Sequence, residues 1–327
     1  MLTVAITTTI PAEVIFAAGG KTVDLNNVFI ADADAAGLVE TAERAGLPAN
    51  TCAWVKGLYA TARRSAAQAV VGVVEGDCSP NAALLDILAA AGMKIIPFAY
   101  PRADDYAAFD RAIGELETAF GVTRAQTEAM KKRFDDARRL VKIIDDAAWQ
   151  KMNIPSGVSF ASQLLTTDML GDLDRALTEL TATVKKYAAA DNSAGADKAP
   201  LAVVGVPTMI GDLWDVIENA GGRVVYHEVP HQFSRADFIG ADVVETYRHF
   251  TYPANARRRL AEIVAQCEKR RARGIVHYVQ SFCHRQLHDL LLRRATDLPV
   301  LTIEADRPAP ADGRNLTRIE AFLEQLR

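Results

Sequence analysis

Cysteine is scarce in this sequence, with four residues in 327, at positions 52, 78, 267 and 283. Such wide spacing excludes a secreted disulfide framework and fits a reducing, cytoplasmic setting. No CxxC pair and no HExxH occur, so the common zinc patterns are missing. No stretch approaches the roughly 18 consecutive apolar residues of a membrane span. The opening MLTVAITTTIPAEVIFAAGG has no basic region ahead of its apolar run and reaches Pro11 and Glu13 early, so it reads as part of the fold and not as a secretion signal. Positive charge is not in excess either: 37 Lys and Arg face 41 Asp and Glu, a net charge of −4. That balance argues against nucleic acid or an anionic membrane surface as a partner.

What remains is an ordinary globular composition, 50% hydrophobic and 24% charged, over a length sufficient for two cores. Strand-like runs alternate with amphipathic helices in two blocks, the grammar of parallel α/β layers. In the first block NNVFIAD, AVVGVVEG and MKIIPFAYP read as strands, with helices over AGLVETAERAG and NAALLDILAAAG, the latter stopped by Gly92. In the second, PLAVVGVP, GRVVYHEV, GIVHYVQ and LPVLTIEAD read as strands. The stretch between them carries helical periodicity only, and its small, polar end at residues 189–200 reads as a mobile linker. The expected organisation is an α/β protein of two Rossmann-like or flavodoxin-like parallel-sheet domains, residues 1–123 and 199–327, joined by a helical segment over 124–198.

The cysteines divide into two environments. Cys267 continues the stripe Leu260, Ile263, Val264 at i, i+3, i+4 and i+7 of a helix, where a thiol is a small buried hydrophobe. Cys78 follows the strand VVGVV ahead of Ser79 and Pro80, a natural cap and first-turn pair. Cys283 follows GIVHYVQ and opens the helix bearing Leu287, Leu290 and Leu291, and Cys52 opens CAWVKGLYATARR with Asn50 or Thr51 as cap. All three therefore fall at helix N-termini, on the rim where parallel sheets bind ligands and where backbone N–H groups favour thiolate charge. If two domains face each other across that rim, three thiolates converge. Zinc would want a fourth closed ligand, whereas an iron–sulfur cube held by three cysteines leaves one iron open. His284 and His288, i and i+4, read as solvated surface groups.

These residues resemble the 2-hydroxyacyl-CoA dehydratase and benzoyl-CoA reductase family of iron–sulfur subunits. The likeness runs from PAEVIFAAGG through TCAWVKG, GDCSPN, VVGVPTMIGDLWDVIENAGGRVVYHE and GIVHYVQSFCHRQLHDLLLRR to LPVLTIEADRPAPADGRNLTRIEAF. The segment before Cys52 is shorter than in typical dehydratase subunits. The resemblance implies that Cys52, Cys78 and Cys283 ligate a [4Fe-4S] cluster between the two domains and that Cys267 does not. It further implies a homodimer or heterodimer with a related subunit, an acyl-CoA substrate, and a separate ATP-hydrolysing iron–sulfur activator; consistently, the chain has no GxxxxGK[ST].

Three functions follow as expectations. The first is a catalytic subunit passing one electron to a bound thioester so that a poorly activated hydroxyl can leave. The second is a reductase of small molecules like the double-cubane cluster protein of the same superfamily, with an [8Fe-9S] cluster in a dimer. The third is a non-catalytic two-lobed small-molecule binder. Glu304 and Asp306, closing LPVLTIEAD, read as acid/base groups or loop anchors, and Arg318 as an anion contact or an ion-pair partner. Glu75 and Asp77 read as solvent-facing turn residues, and RRRLAEIVAQCEKRRARG as a solvated helix face, with docking of the activator as the minority reading.

Overall fold

Short β-branched runs that are apolar on both faces can be satisfied only inside a covered parallel sheet, and the chain builds two of them. The computed structural model describes residues 2–101, 104–188, 195, 197–235, 237–250, 252 and 255–327. The first elements are β1 (Thr3–Ile6), α1 (Ala12–Ala17), β2 (Lys21–Asp24), α2 (Leu25–Ala31), α3 (Ala35–Arg44), α4 (Ala53–Arg64), β3 (Ala69–Glu75), α5 (Ser79–Ala90), β4 (Ile95–Ala99) and α6 (Tyr106–Phe120). Three helices follow, α7 (Arg124–Gln150), α8 (Ser156–Leu164) and α9 (Leu173–Thr183). The remainder is β5 (Ala199–Gly205), α10 (Leu213–Asn219), β6 (Gly222–His227), α11 (Glu228–Ser234), α12 (Val243–Arg248), α13 (Ala256–Lys269), β7 (Gly274–Val279), α14 (His288–Ala295), β8 (Val300–Glu304) and α15 (Gly313–Gln325).

The strand orders are β2-β1-β3-β4 and β6-β5-β7-β8, with every pairing parallel. The two sheets therefore repeat one topology, and each changes winding direction between its first and third strands. In such sheets the crevice at the carboxyl end of that switch point is where ligands bind.

By contacts the chain forms two units: residues 1–139, 165–178 and 233–254, and residues 140–164, 179–232 and 255–327. Residues 124–198 are thus shared between them. Residues 189–194 and 196 of the expected mobile linker lie outside those described. The first unit closes one core over Val4, Ile6, Val71, Val73 and Phe98, and another beneath α4 and α5 around Val55, Leu58, Leu84 and Leu88. Leu85 packs so closely on Gly72 of β3 that any Cβ there would overlap it. The second unit packs α10 and α15 on one face of its sheet and α13 on the other.

One strand expectation is overturned. NNVFIAD is not a strand but α2, because the Asp24 carboxylate accepts the Asn26 N–H and starts a helix whose Leu25 and Phe29, four apart, are buried. The strand beside it is the short β2, KTVD, and the first strand is TVAI.

Candidate functional site

Cys78 lies on the loop after β3, at the switch point of the first unit. It is the N-cap of α5, with extended backbone (φ −72°, ψ 151°), so the expected cap Ser79 moves into the first turn. The turn is fixed by Asp77, which is not solvent-facing as expected. Its carboxylate accepts the Cys78 N–H at 2.6 Å and the Asn81 side-chain amide at 3.0 Å. It also accepts the hydroxyls of Tyr252 and of Thr8, the latter on the loop after β1. Asp77 thereby ties together the two loops that flank the switch point.

Cys52 is likewise an N-cap, of α4, with φ −48° and ψ 127°. It lies in a helix-to-helix turn after α3, and the cap differs from expectation: it is Cys52 itself and not Asn50 or Thr51. The turn is held by the buried ammonium of Lys56, which donates to Glu43 at 2.6 Å and to the Ala49 carbonyl at 2.9 Å. Because α4 leads into β3 and packs beside α5, its N-terminus lies at the carboxyl rim, as Cys78 does.

Cys283 follows β7, the strand of the second sheet that corresponds to β3. It caps a 3₁₀ turn, His284–Leu287, that precedes α14. Glu304 and Asp306 act here as loop anchors: Ser281 donates its hydroxyl to Glu304 at 2.8 Å and its N–H to Asp306 at 2.7 Å. Between them Phe282 is held in the left-handed region (φ 64°) and is 69% exposed, a strained backbone of the kind found at functional sites. Leu287, Leu290 and Leu291 are exposed, and of the leucines of this segment Leu292 enters the core. Arg318 is half-buried on α15 and away from these anchors in sequence.

The surroundings of Cys283 are cationic. Arg259 grips the fully buried Glu228 through two bonds, 2.6 and 2.8 Å, and Glu228 also accepts the Gly205 N–H at 2.7 Å. Gly205, at φ 122°, has no room for a Cβ against the Tyr278 carbonyl. Burial alone would pull the Arg259 guanidinium down; the charge and hydrogen bonds of Glu228 hold it above its ordinary value. Arg259 also donates to His288 Nδ1 at 3.0 Å. His288 is therefore not the solvated group expected: burial, then Arg259, His284 and Arg285, push it down to about 4, leaving it neutral near pH 7. The basic run is a solvated face in part: Arg257, Lys269, Arg271 and Arg273 are exposed as expected, whereas Arg259 and Arg270 are buried, the latter on Asp145 at 2.6 and 2.7 Å.

Cys267 is the contrast: 2% exposed in the core under α13, its thiol is pushed by burial up to about 12. A thiol so placed resists becoming the thiolate that ligation requires. Cys52, Cys78 and Cys283 are all partly exposed.

Sequence reasoning missed Arg259, Glu228 and the anchoring role of Asp77. One signal was present: Arg259, Ile263, Gln266 and Arg270 recur at i, i+4, i+7 and i+11, a helix face shared with the core.

Two parallel sheets of one topology, with a cysteine after the third strand of each, define a two-unit α/β protein with thiols on its ligand-binding rims. The chain belongs to the 2-hydroxyglutaryl-CoA dehydratase D-component family, whose model matches residues 7–326. This is a family of dehydratase components, lyase-type enzymes. None of the curated proteins compared matches the chain. Among the described residues, no helix is long and apolar enough to cross a membrane.

Proposed function

We propose that the protein is the iron–sulfur subunit of a 2-hydroxyacyl-CoA dehydratase-type enzyme, with Cys52, Cys78 and Cys283 as the ligands of one [4Fe-4S] cluster. The observation that carries this reading is the sorting of the thiols: three partly exposed helix caps on extended backbone, against one core thiol whose ionisation is suppressed. Three thiolates suit an iron–sulfur cube with one open iron. Such a cluster supplies one-electron chemistry and an open coordination position to the substrate.

The chain's own residues have definable roles. Helix N-terminal N–H groups favour thiolate charge. Asp77, Lys56, Glu304 and Asp306 fix the three turns so that the thiols are presented without rearrangement. The exposed Phe282, Leu287, Leu290 and Leu291 form an apolar surface suited to a second subunit or the separate ATP-dependent activator.

The test is anaerobic. Reconstituted protein, supplied with a reducing ATP-dependent activator and a 2-hydroxyacyl-CoA, should release water and form the 2-enoyl-CoA. Reduction of the probe without loss of water, together with two bridged cubes per dimer, would overturn this reading in favour of the small-molecule reductase.

A further inference from the structure

His288 closes the 3₁₀ turn that Cys283 opens. At about 2 Å of rise per residue, their Cα atoms lie roughly 10 Å apart along the axis of the turn. Helical side chains tilt toward the N-terminus, so the ring leans back toward Cys283. It is half-buried, and its neighbours one turn on, Leu291 and Leu292, are exposed and buried respectively. The imidazole thus sits on the border between the core and the surface.

Arg259 decides which ring nitrogen carries the proton. A guanidinium has donors and no acceptor, so the 3.0 Å bond from Arg259 to His288 Nδ1 requires a bare Nδ1. Arg259 cannot turn away, because Glu228 holds its other two nitrogens at 2.6 and 2.8 Å. Glu228 is in turn enclosed and tied to Gly205 and Gln232. A proton added at Nδ1 would have to displace Arg259, and the ring is neutral near pH 7. Its one proton is therefore on Nε2. That nitrogen bonds to no described residue and is not sealed from solvent, unlike the unpaired nitrogens of His227 and His277. A protonated Nε2 has no lone pair to accept a proton or bind a metal ion. His288 is accordingly neither a general base nor a fourth ligand to iron; it can donate one hydrogen bond.

We propose that His288 is a substrate-binding residue whose Nε2–H donates to the carbonyl oxygen of a bound acyl thioester. The proposal rests on the dehydratase reading, which supplies the thioester. That oxygen is the acceptor common to every acyl-CoA, whatever its acyl chain. A neutral imidazole polarises a carbonyl without bringing a charge that must be desolvated. The buried Glu228–Arg259 pair fixes the donor before substrate arrives, so no reorganisation is needed on binding.

The chain contains six histidines, so nitrogen NMR of the full chain labelled on histidine can identify His288 by its loss in His288→Phe. It should show the Nε2–H tautomer at pH 7; the Nδ1–H tautomer would overturn the proposal and leave the iron–sulfur reading intact. Binding is then measured by calorimetry on the cluster-loaded chain with butyryl-CoA and with S-butyl-CoA, a thioether that lacks the carbonyl. Wild type should prefer the thioester about tenfold, the worth of one hydrogen bond. His288→Phe should bind the two equally and keep the wild-type iron content. His288→Gln, whose amide can accept from Arg259 and donate outward, should recover the preference. Equal binding by wild type, a preference that survives in His288→Phe, or loss of iron in that variant would overturn the proposal alone. Wild type that binds neither ligand would overturn the thioester reading and the proposal with it. If His288→Phe does not fold, His288→Gln assigns the resonance and the tautomer decides.

Discussion

The two units place a cysteine at the same point of the same topology and pin its turn with carboxylates drawn from different places. After β3, the Cys78 turn is pinned by a carboxylate, Asp77, fed by two hydroxyls, an amide and a backbone N–H. After β7, the Cys283 turn is pinned by Glu304, from the neighbouring strand, and by Asp306 just beyond it. The fold supplies the corner; the side chains around it set its electrostatics. Two corners that look equivalent in strand order need not be equivalent as ligands.

The largest effects should come from the charged anchors buried in each unit. Glu228 in the second unit and Glu13 in the first are both fully enclosed, Glu13 bonding to Arg138 at 2.6 Å and to the Tyr247 hydroxyl at 2.7 Å. Glu228→Ala strands the buried Arg259, and Glu13→Ala leaves the buried Arg138 with Asp135 alone, at 2.9 Å; each should lower stability by about 3–5 kcal/mol, measured by urea unfolding. Tyr247→Phe removes one charge-assisted bond and should remove about 1.5–3 kcal/mol. If the two glutamates differ widely, the units are not comparable scaffolds.

Opposite pH responses should separate the units next. In the first, burial, then the neighbouring Asp24, pushes Asp168 from 3.8 up to about 7. Between those values the folded chain holds a proton that the unfolded chain has released, so stability falls as pH rises through that window. In the second, His227 and His288 are pushed down from 6.5 to about 3 and about 4, burial first in each. Here the unfolded chain binds protons first, so stability is lost as pH falls below about 6.5. Hydrogen exchange, corrected for intrinsic rates, should show β2 better protected at pH 5.5 than at pH 7.5 and β6 less protected. Asp168→Asn should flatten the first response only. Parallel changes in both units would break the contrast.

Smaller effects bear on the cysteines. Cys267→Ser buries a hydroxyl among Leu260, Ile263 and Tyr226 and should destabilise the chain by about 1–3 kcal/mol, with iron content unchanged. Asp77→Asn removes a negative charge beside Cys78 and should raise the cluster's reduction potential with little change in iron content; a fall would contradict the electrostatic assignment.

Much of this was legible in the sequence, for identifiable reasons. Seven-residue β-branched runs such as AVVGVVE and APLAVVG announce themselves as buried strands. The four-residue β1 and β2 do not, because TVAI and KTVD are too short to show a period. NNVFIA misled because its β-branched and aromatic residues favour strand, while the deciding feature was the preceding Asp24 cap. Cys78 and Cys283 were visible from strand-then-turn grammar, and Cys52 from the loop that opens its helix. What surrounds them was not, since Arg259 lies 24 residues before Cys283 in sequence (283 − 259 = 24) and Tyr252 lies 175 from Asp77. Long-range partners of that kind depend on the packing of sheet and helices and leave no local pattern.

The most direct test of the three-cysteine cluster is iron and sulfide quantification on anaerobically reconstituted wild type and on the four single variants Cys52→Ala, Cys78→Ala, Cys267→Ala and Cys283→Ala. Wild type and Cys267→Ala should each hold about four irons per chain, and the other three variants should lose the cluster. Loss in Cys267→Ala, or an intact cluster in Cys78→Ala, would contradict the assignment.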